Sequence, residues 1–522
     1  MGYRTSSPKG VARRPPATAG QDSRMSFGRQ EPEAEPQGRA PVIGIDLGTS
    51  FARVGVWLDG DVTLIANDHG SMSTPCWVAF TEQGVMVGEA ALDQAVSNIE
   101  NTIFAPQRLM GFRIDSPWVQ WYSRLWPSQL VRGEDDRPLL RVLCRGQEQA
   151  YRPEELVAMI LSSLRRAAEQ KLGRTVVDAC VTVPARYGRI QREAIVEACR
   201  IARLNVIQLL KAPTAAAMAY RLTNKSRTED GTFLVCDMGS CYFDFVVLNS
   251  NNGRFTERAM GTDFIDLDKN LLNCCVEELR EKWGIFATRD KAQLHRLQKA
   301  CEAAKRHLST YSRARVEIKD LAPNLDYTCV LSRVQFEELI LDDIGPFLEP
   351  IGWCLEDCEL ERSDLREVVI VGGSSQIPVL KKAICEFFYG LKPVEVLRPE
   401  HAAVLGATAY AAALDGRRAG DVPRELRQLE LVEVFPWSSL PGQSQASQVP
   451  GETEPPRAGK HPSRPPDGEQ PARLAAPLPP KPRTRASFSE LAVPLSLTGD
   501  GGMLRASSDS SCEEDMGTFL HV

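Results

Sequence analysis

No stretch of this chain reaches the ~18 consecutive apolar residues that a membrane-crossing helix needs, so no span is expected. Basic residues are not in excess. The 62 Lys and Arg stand against 68 Asp and Glu, a net charge of −6, which argues against a chain-wide nucleic-acid surface. The first twenty residues, MGYRTSSPKGVARRPPATAG, lack an apolar core, so no secretory signal is expected. Cysteine is present but unpatterned. The 14 cysteines include no C-x-x-C pair and no His at zinc-like spacing, which excludes a structural zinc motif of that kind. Cys180 and Cys236 sit inside apolar runs and read as small buried hydrophobes. A reducing compartment, the cytoplasm or the nucleus, follows.

Proline is scarce only in the middle. Of 35 prolines, 20 fall within 1–40 and 417–522, which marks those stretches as disordered tails around an ordered block. Order begins at Pro41. Residues 43–46 read as a buried strand and 53–57 as its partner, joined by a turn at 47–50. Helices are expected at 153–173, 190–202, 212–220, 266–283, 290–308, 333–357, 376–388 and 402–414, with strands at 176–183, 233–236, 243–248 and 366–371. Strands alternating with helices predict an α/β fold.

The block contains an internal echo. Residues 44–50 (GIDLGTS) are answered by 235–241 (VCDMGSC): an apolar strand, an Asp at its end, a Gly two residues on, then another strand. Two such hairpins suggest two related lobes facing one cleft. Glycine turns expose backbone N–H groups and let the chain approach a phosphate. A strand-end Asp can hold magnesium through its water shell. A third loop, VGGSS at 371–375, offers another close approach. On the helix around 290–308, Glu302, Lys305, Arg306 and Ser309 share one face. Alone that face is a solvated surface; beside three phosphate turns it can contact a base and ribose.

Six motifs in order, IGIDLGTS (43–50), VTVPARYG (181–188), APTAAAMAY (212–220), CDMGSCYFDF (236–245), ACEAAKRHLS (300–309) and VVIVGGSSQIP (368–378), resemble the ATPase domain of the 70 kDa heat shock (DnaK-type) chaperones. The resemblance covers 41–416 and implies a two-lobed actin-like (ribonuclease-H-like) ATPase fold binding ATP or ADP with Mg²⁺. By resemblance, Gly48, Thr49, Ser50, Phe51, Gly239 and Ser240 are phosphate-turn positions, and Thr49 a further catalytic candidate. Asp46, Asp237 and Asp244 match the catalytic acids, with Asp46 and Asp237 holding the metal through water. Glu302, Lys305, Arg306 and Ser309 match the adenosine helix. Gly373, Ser374 and Glu400 match the third loop and far wall.

The phosphate end departs from the family pattern. Gln107 stands where a lysine is expected, and Ala212 where a glutamate is expected. The loop 239–242 carries Ser240 and Cys241 in place of glycines and Tyr242 in place of threonine. The glycine turn expected downstream reads MGTDFI at 260–265. Lys211, beside the site, offers a replacement charge. The expectation is an adenine-nucleotide-binding, regulatory or co-chaperone-like module with weak or absent hydrolysis. The alternatives are an active folding chaperone and a structural scaffold whose phosphate space Tyr242 fills.

Residues 417–440 resemble the family's linker and, at 429–436, its first substrate-domain strand. The composition of 441–522 predicts no peptide-binding domain there. Nucleotide-exchange factors are implied partners, while Gln208 stands at an arginine position used by J-domain proteins and weakens that expectation. Pro477–Pro482 suits an SH3-like groove. Arg483–Ser487 and Ser510–Asp515 resemble kinase sites.

Overall fold

The computed structural model describes residues 41–433, apart from 124–125, 224–229, 323–324, 397 and 416–429. The expectations for both tails, the SH3-like segment and the kinase sites therefore lie outside the described residues.

Two mixed sheets carry the fold. In the first, the strand order is Asn205–Lys211, Asp178–Val183, Ile43–Leu47, Phe51–Leu58 and Asp61–Leu64. In the second it is Val394–Glu395, Glu367–Val371, Gly231–Met238, Tyr242–Asn251, Arg254–Phe264 and Glu430–Val432. The echo in the sequence is an echo in pairing. Ile43–Leu47 runs antiparallel to Phe51–Leu58 and parallel to Asp178–Val183. Gly231–Met238 runs antiparallel to Tyr242–Asn251 and parallel to Glu367–Val371. Each central strand is an apolar run because both its faces are covered, as buried parallel strands require.

Helices Ala212–Thr223 and Ala402–Asp415 cross between the sheets. They approach so closely that a side chain at Gly406 would meet the Ala215 carbonyl oxygen at 1.7 Å. The first sheet packs an apolar core with Pro153–Leu172, and the second with Leu267–Trp283, Lys291–Thr310 and Leu341–Asp357. A third cluster, with Ala215, Ala216, Tyr220, Val235, Val369 and Ala407, joins the two through the crossed helices. Pro153 at the first turn starts one long helix and Gly173, at φ 64°, ends it. Asp290 caps another by accepting from the Ala292 and Gln293 amides.

Several expectations are corrected. The single helix expected at 333–357 is two, Arg333–Leu339 and Leu341–Asp357, interrupted at Ile340 (φ −103°, ψ 2°). Residues 260–264 are no turn but the end of Arg254–Phe264; Gly261 is needed where that strand passes 2.7 Å (from a would-be Cβ) beneath the Pro350 carbonyl. Glu430–Val432, read as a linker and the start of another sheet, pairs parallel with Arg254–Phe264 as an edge strand. Two antiparallel sheets, around Trp77–Phe80 and around Pro138–Cys144, and the hairpin Arg313–Ala322 with Leu325–Ser332, went unread.

Candidate functional site

The two central hairpins turn their Asp-x-Gly corners toward one cavity of about 520 Å³. Its wall takes Asp46 and Gly48–Phe51 from the first hairpin, and Asp237, Gly239, Ser240, Tyr242 and Asp244 from the second. The third loop adds Gly373 and Ser374, the helix Lys291–Thr310 adds Glu302, Lys305, Arg306 and Ser309, and Glu400 closes the far side. The motifs, spread over 355 positions of chain from Asp46 to Glu400, thus converge on one surface. The volume suits a small-molecule ligand.

The turns are built for close approach. A Cβ at Gly48 would lie 2.7 Å from the Phe51 carbonyl oxygen. Gly372 has φ +82°, and a Cβ there would lie 2.3 Å from the Met238 oxygen, so only glycine fits. A Cβ at Gly373 would meet open space, leaving backbone bare to the cavity. Ser374 Oγ donates to the Gly239 oxygen at 2.7 Å, tying the third loop to the second hairpin.

The helix wall is held by pairs. Lys305 Nζ lies 2.8 Å from Asp268 Oδ1, and Arg306 Nη2 donates to Glu302 Oε1 at 2.6 Å. The Arg306 guanidinium also sits 5.0 Å from the Phe51 ring centroid, so the second lobe touches the first across the cavity mouth.

Asp46 and Asp244 are engaged by donors. Asp244 Oδ1 accepts from Thr262 Oγ1 at 2.6 Å and Oδ2 from the Ala185 amide at 2.9 Å. Burial nevertheless raises its carboxyl. Burial, with the Asp244 and Asp46 carboxylates nearby, pushes Asp237 up to about 8. Asp46 Oδ1 accepts from Thr182 Oγ1 at 2.8 Å, and Oδ2 from Arg53 Nη1 at 3.0 Å.

Arg53 is the residue that no motif indicated. It pairs directly across from Asp46 in the hairpin, on the same face, and lines the cavity. The legible signal was register: with a turn at 48–50, residue 53 must oppose residue 46. Ser71, Ser73 and Thr182 also line the cavity without having been anticipated.

The departures fall into place unevenly. Gln107 does not line the cavity; it is buried and donates Nε2 to the Gly48 carbonyl at 2.6 Å. Ala212 presents a methyl group to the cavity. Cys241 turns away and accepts from Arg108 Nη2. Tyr242 reaches the wall, and its ring leans on Phe264 and Tyr187 at centroid distances of 5.6 and 6.4 Å. Lys211 supplies no charge to the site. It is fully buried, paired with Glu257, which also accepts from Thr214 Oγ1 at 2.5 Å.

The donor set fits a nucleoside and backbone-held phosphates. Magnesium is expected through its water shell at Asp46 and Asp237, and at Asp46 it would share the carboxylate with the Arg53 guanidinium. Both oxygens of that carboxylate already carry donors, and one donor is a fixed guanidinium charge. A magnesium shell demands near-ideal octahedral oxygens and retained waters.

Two lobes of like topology, hairpin corners facing one cleft and crossed helices between them define the actin-like ATPase class of nucleotide-binding fold. The Hsp70 protein family model matches residues 42–441. The chain is 37% identical to heat shock cognate 70 kDa protein 3 of Dictyostelium discoideum over 402 residues, covering 76% of this chain and 63% of that one. It is 36% identical to heat shock 70 kDa protein 2 of Paracoccidioides lutzii and 37% to a heat shock 70 kDa protein of Neurospora crassa, covering 76% of this chain and 61% and 62% of theirs. The chain belongs to the Hsp70 family, and it spans about three-fifths of the length of these relatives.

Proposed function

We propose that this protein is an adenine-nucleotide-binding member of its family in which hydrolysis is weak or absent, so that it serves as a regulatory or co-chaperone-like module. The observation that carries this is the contrast between the two ends of one cavity. The helix wall of Glu302, Lys305, Arg306 and Ser309 faces the cavity with the bare turns, while Gln107 is spent on the Gly48 carbonyl and Ala212 offers only a methyl group. Loss of one preorganised donor lowers a rate by on the order of 10²–10³. Losses within one catalytic unit do not simply multiply. Binding depends on other residues and survives. In this reading Asp46, Asp237 and Asp244 are relics of the catalytic acids, and Thr49 and Ser50 meet phosphate oxygens.

The test is titration calorimetry with ADP and ATP alongside steady-state hydrolysis, on the wild type and on the Gln107→Lys/Ala212→Glu double variant. Both should bind; only the double variant should hydrolyse. Wild-type turnover abolished by Asp237→Ala would instead support the active chaperone, a reading that the retained acidic trio favours. Nucleotide-exchange factors are the proposed partners and the cytoplasm the proposed compartment. Among the described residues no helix is long and apolar enough to cross a membrane. Gln208 lies on Asn205–Lys211, the strand at the edge of the first sheet, with its amide on the Leu209 carbonyl at 3.3 Å.

A further inference from the structure

The cavity that holds the acidic trio also holds one cation aimed at it. Lys305 is paired with Asp268 and Arg306 with Glu302, both on the helix side. Among the described residues, Arg53 alone of the cavity-lining cations contacts the trio, through Asp46 at 3.0 Å. Its Nε donates to Ser73 Oγ at 2.9 Å, which fixes the plane of the guanidinium. The side chain is only 11% exposed, so the charge is held in place and poorly screened.

Charge balance makes this placement consequential. A polyphosphate carries several negative charges, and a cation fixed beside it in a poorly screened cavity favours its binding. Guanidinium is always protonated and presents five N–H donors in a fork that matches phosphate oxygens. Among the described residues, two of those donors are engaged, on Asp46 and Ser73. The buried Asp46 carboxylate itself needs this cation as a partner, and the same guanidinium lines the cavity with donors left over among the described residues. The neighbours of Arg53, Ala52 and Val54, bury into the core on the opposite face of the strand.

We propose that Arg53 is the resident cation of the phosphate subsite, so that this cavity takes the diphosphate or triphosphate of an adenine nucleotide without a divalent metal ion. This rests on the nucleotide-binding reading above and extends it to how the charge is neutralised. Magnesium, where added, competes with a charge already fixed to the chain. A site of this kind gains nothing from metal.

The experiment is calorimetric titration of the full chain with ADP in excess EDTA and in millimolar MgCl₂, with adenosine as a phosphate-free control. The wild type should bind ADP with affinities within about three-fold of each other under the two conditions. Arg53→Met, which keeps the stem and loses the charge, should lose about ten-fold or more for ADP in EDTA, recover in magnesium, and bind adenosine as the wild type does. Arg53→Lys should fall between them, since ammonium keeps the charge and not the fork. Wild-type binding of ADP at least ten-fold tighter in magnesium than in EDTA overturns the proposal and leaves the nucleotide reading standing. Absence of binding for adenosine and ADP under both conditions overturns the nucleotide reading, and this one with it. The wild-type comparison decides the matter even where a variant fails to fold.

Discussion

At the scale of single residues, Asp237 illustrates how a shared cleft charges its own lining. Its carboxyl, ordinarily near 3.8, is pushed up to about 8 by burial and by the carboxylates of Asp244 and Asp46, with Arg53 pulling the other way. An acid raised in the native state keeps a proton that the unfolded chain has already released. Between about pH 4 and pH 8 the unfolded state therefore binds fewer protons, and stability falls as pH rises through that window. Asn in place of Asp237 removes this titration. The melting temperature of Asp237→Asn relative to wild type should accordingly climb from pH 5 to pH 8, measured by scanning calorimetry. A difference that is flat or falls with pH would contradict the assignment. Lys211 teaches the complementary point. It sits one residue before cavity-lining Ala212, yet its side chain leaves the cavity altogether for Glu257. Proximity in sequence to a site residue says little about which side of a strand the next side chain takes.

At the scale of elements, the crossing of Ala212–Thr223 and Ala402–Asp415 sets the distance between the two sheets. Gly406 sits at the point of contact, with the Ala215 carbonyl oxygen where its Cβ would be. Gly44 on the central strand meets the same helix at Thr408, 2.3 Å from a would-be Cβ to the backbone nitrogen. Backbone cannot yield as a flexible side chain does, so Gly406→Ala should destabilise at or beyond the ~3 kcal/mol upper end of ordinary overpacking. Chemical denaturation would measure it; a loss under ~1 kcal/mol would mean the helices slide apart freely. The elements differ in how legible they were. The central strands and their corners could be read because buried parallel strands are unbroken apolar runs ended by Asp-x-Gly. Arg313–Ala322 buries alternate residues in a pattern open to reading, but its partner and register are set only by the hairpin. The break at Ile340 and the strand through Gly261 could not be read, because each answers to a tertiary neighbour rather than to local propensity. The site shows the same division. Contiguous motifs announced the turns and the helix face, whereas Arg53 becomes a site residue only once strand register sets it opposite Asp46.

At the scale of the molecule, the two apolar cores meet through the cluster around the crossed helices and through ring contacts such as Trp118 with Phe264 and Trp77 with His295. The cavity lies between the lobes, lined by Gly48–Phe51 of the first hairpin and by residues of Lys291–Thr310. A ligand here acts through the parts it spans. In the proposed binding mode adenosine meets the helix wall and third loop, all of the second lobe, while the phosphates alone reach the Gly48–Ser50 turn of the first. Ligand that binds only the native state stabilises it by about 2.7 kcal/mol at 100 times its Kd, whatever its identity. Matched saturation therefore equalises the global effect and leaves the local one visible. Hydrogen exchange at equal saturation should show adenosine slowing amides in Lys291–Thr310 and around Gly373 while those of 48–52 exchange as in the free protein. ADP should slow both sets, because its phosphates supply acceptors to the first hairpin's N–H groups and pin the lobes together. Protection of 48–52 by adenosine as strong as that by ADP would mean that the lobes close on the nucleoside alone, and that the turns do not read phosphate.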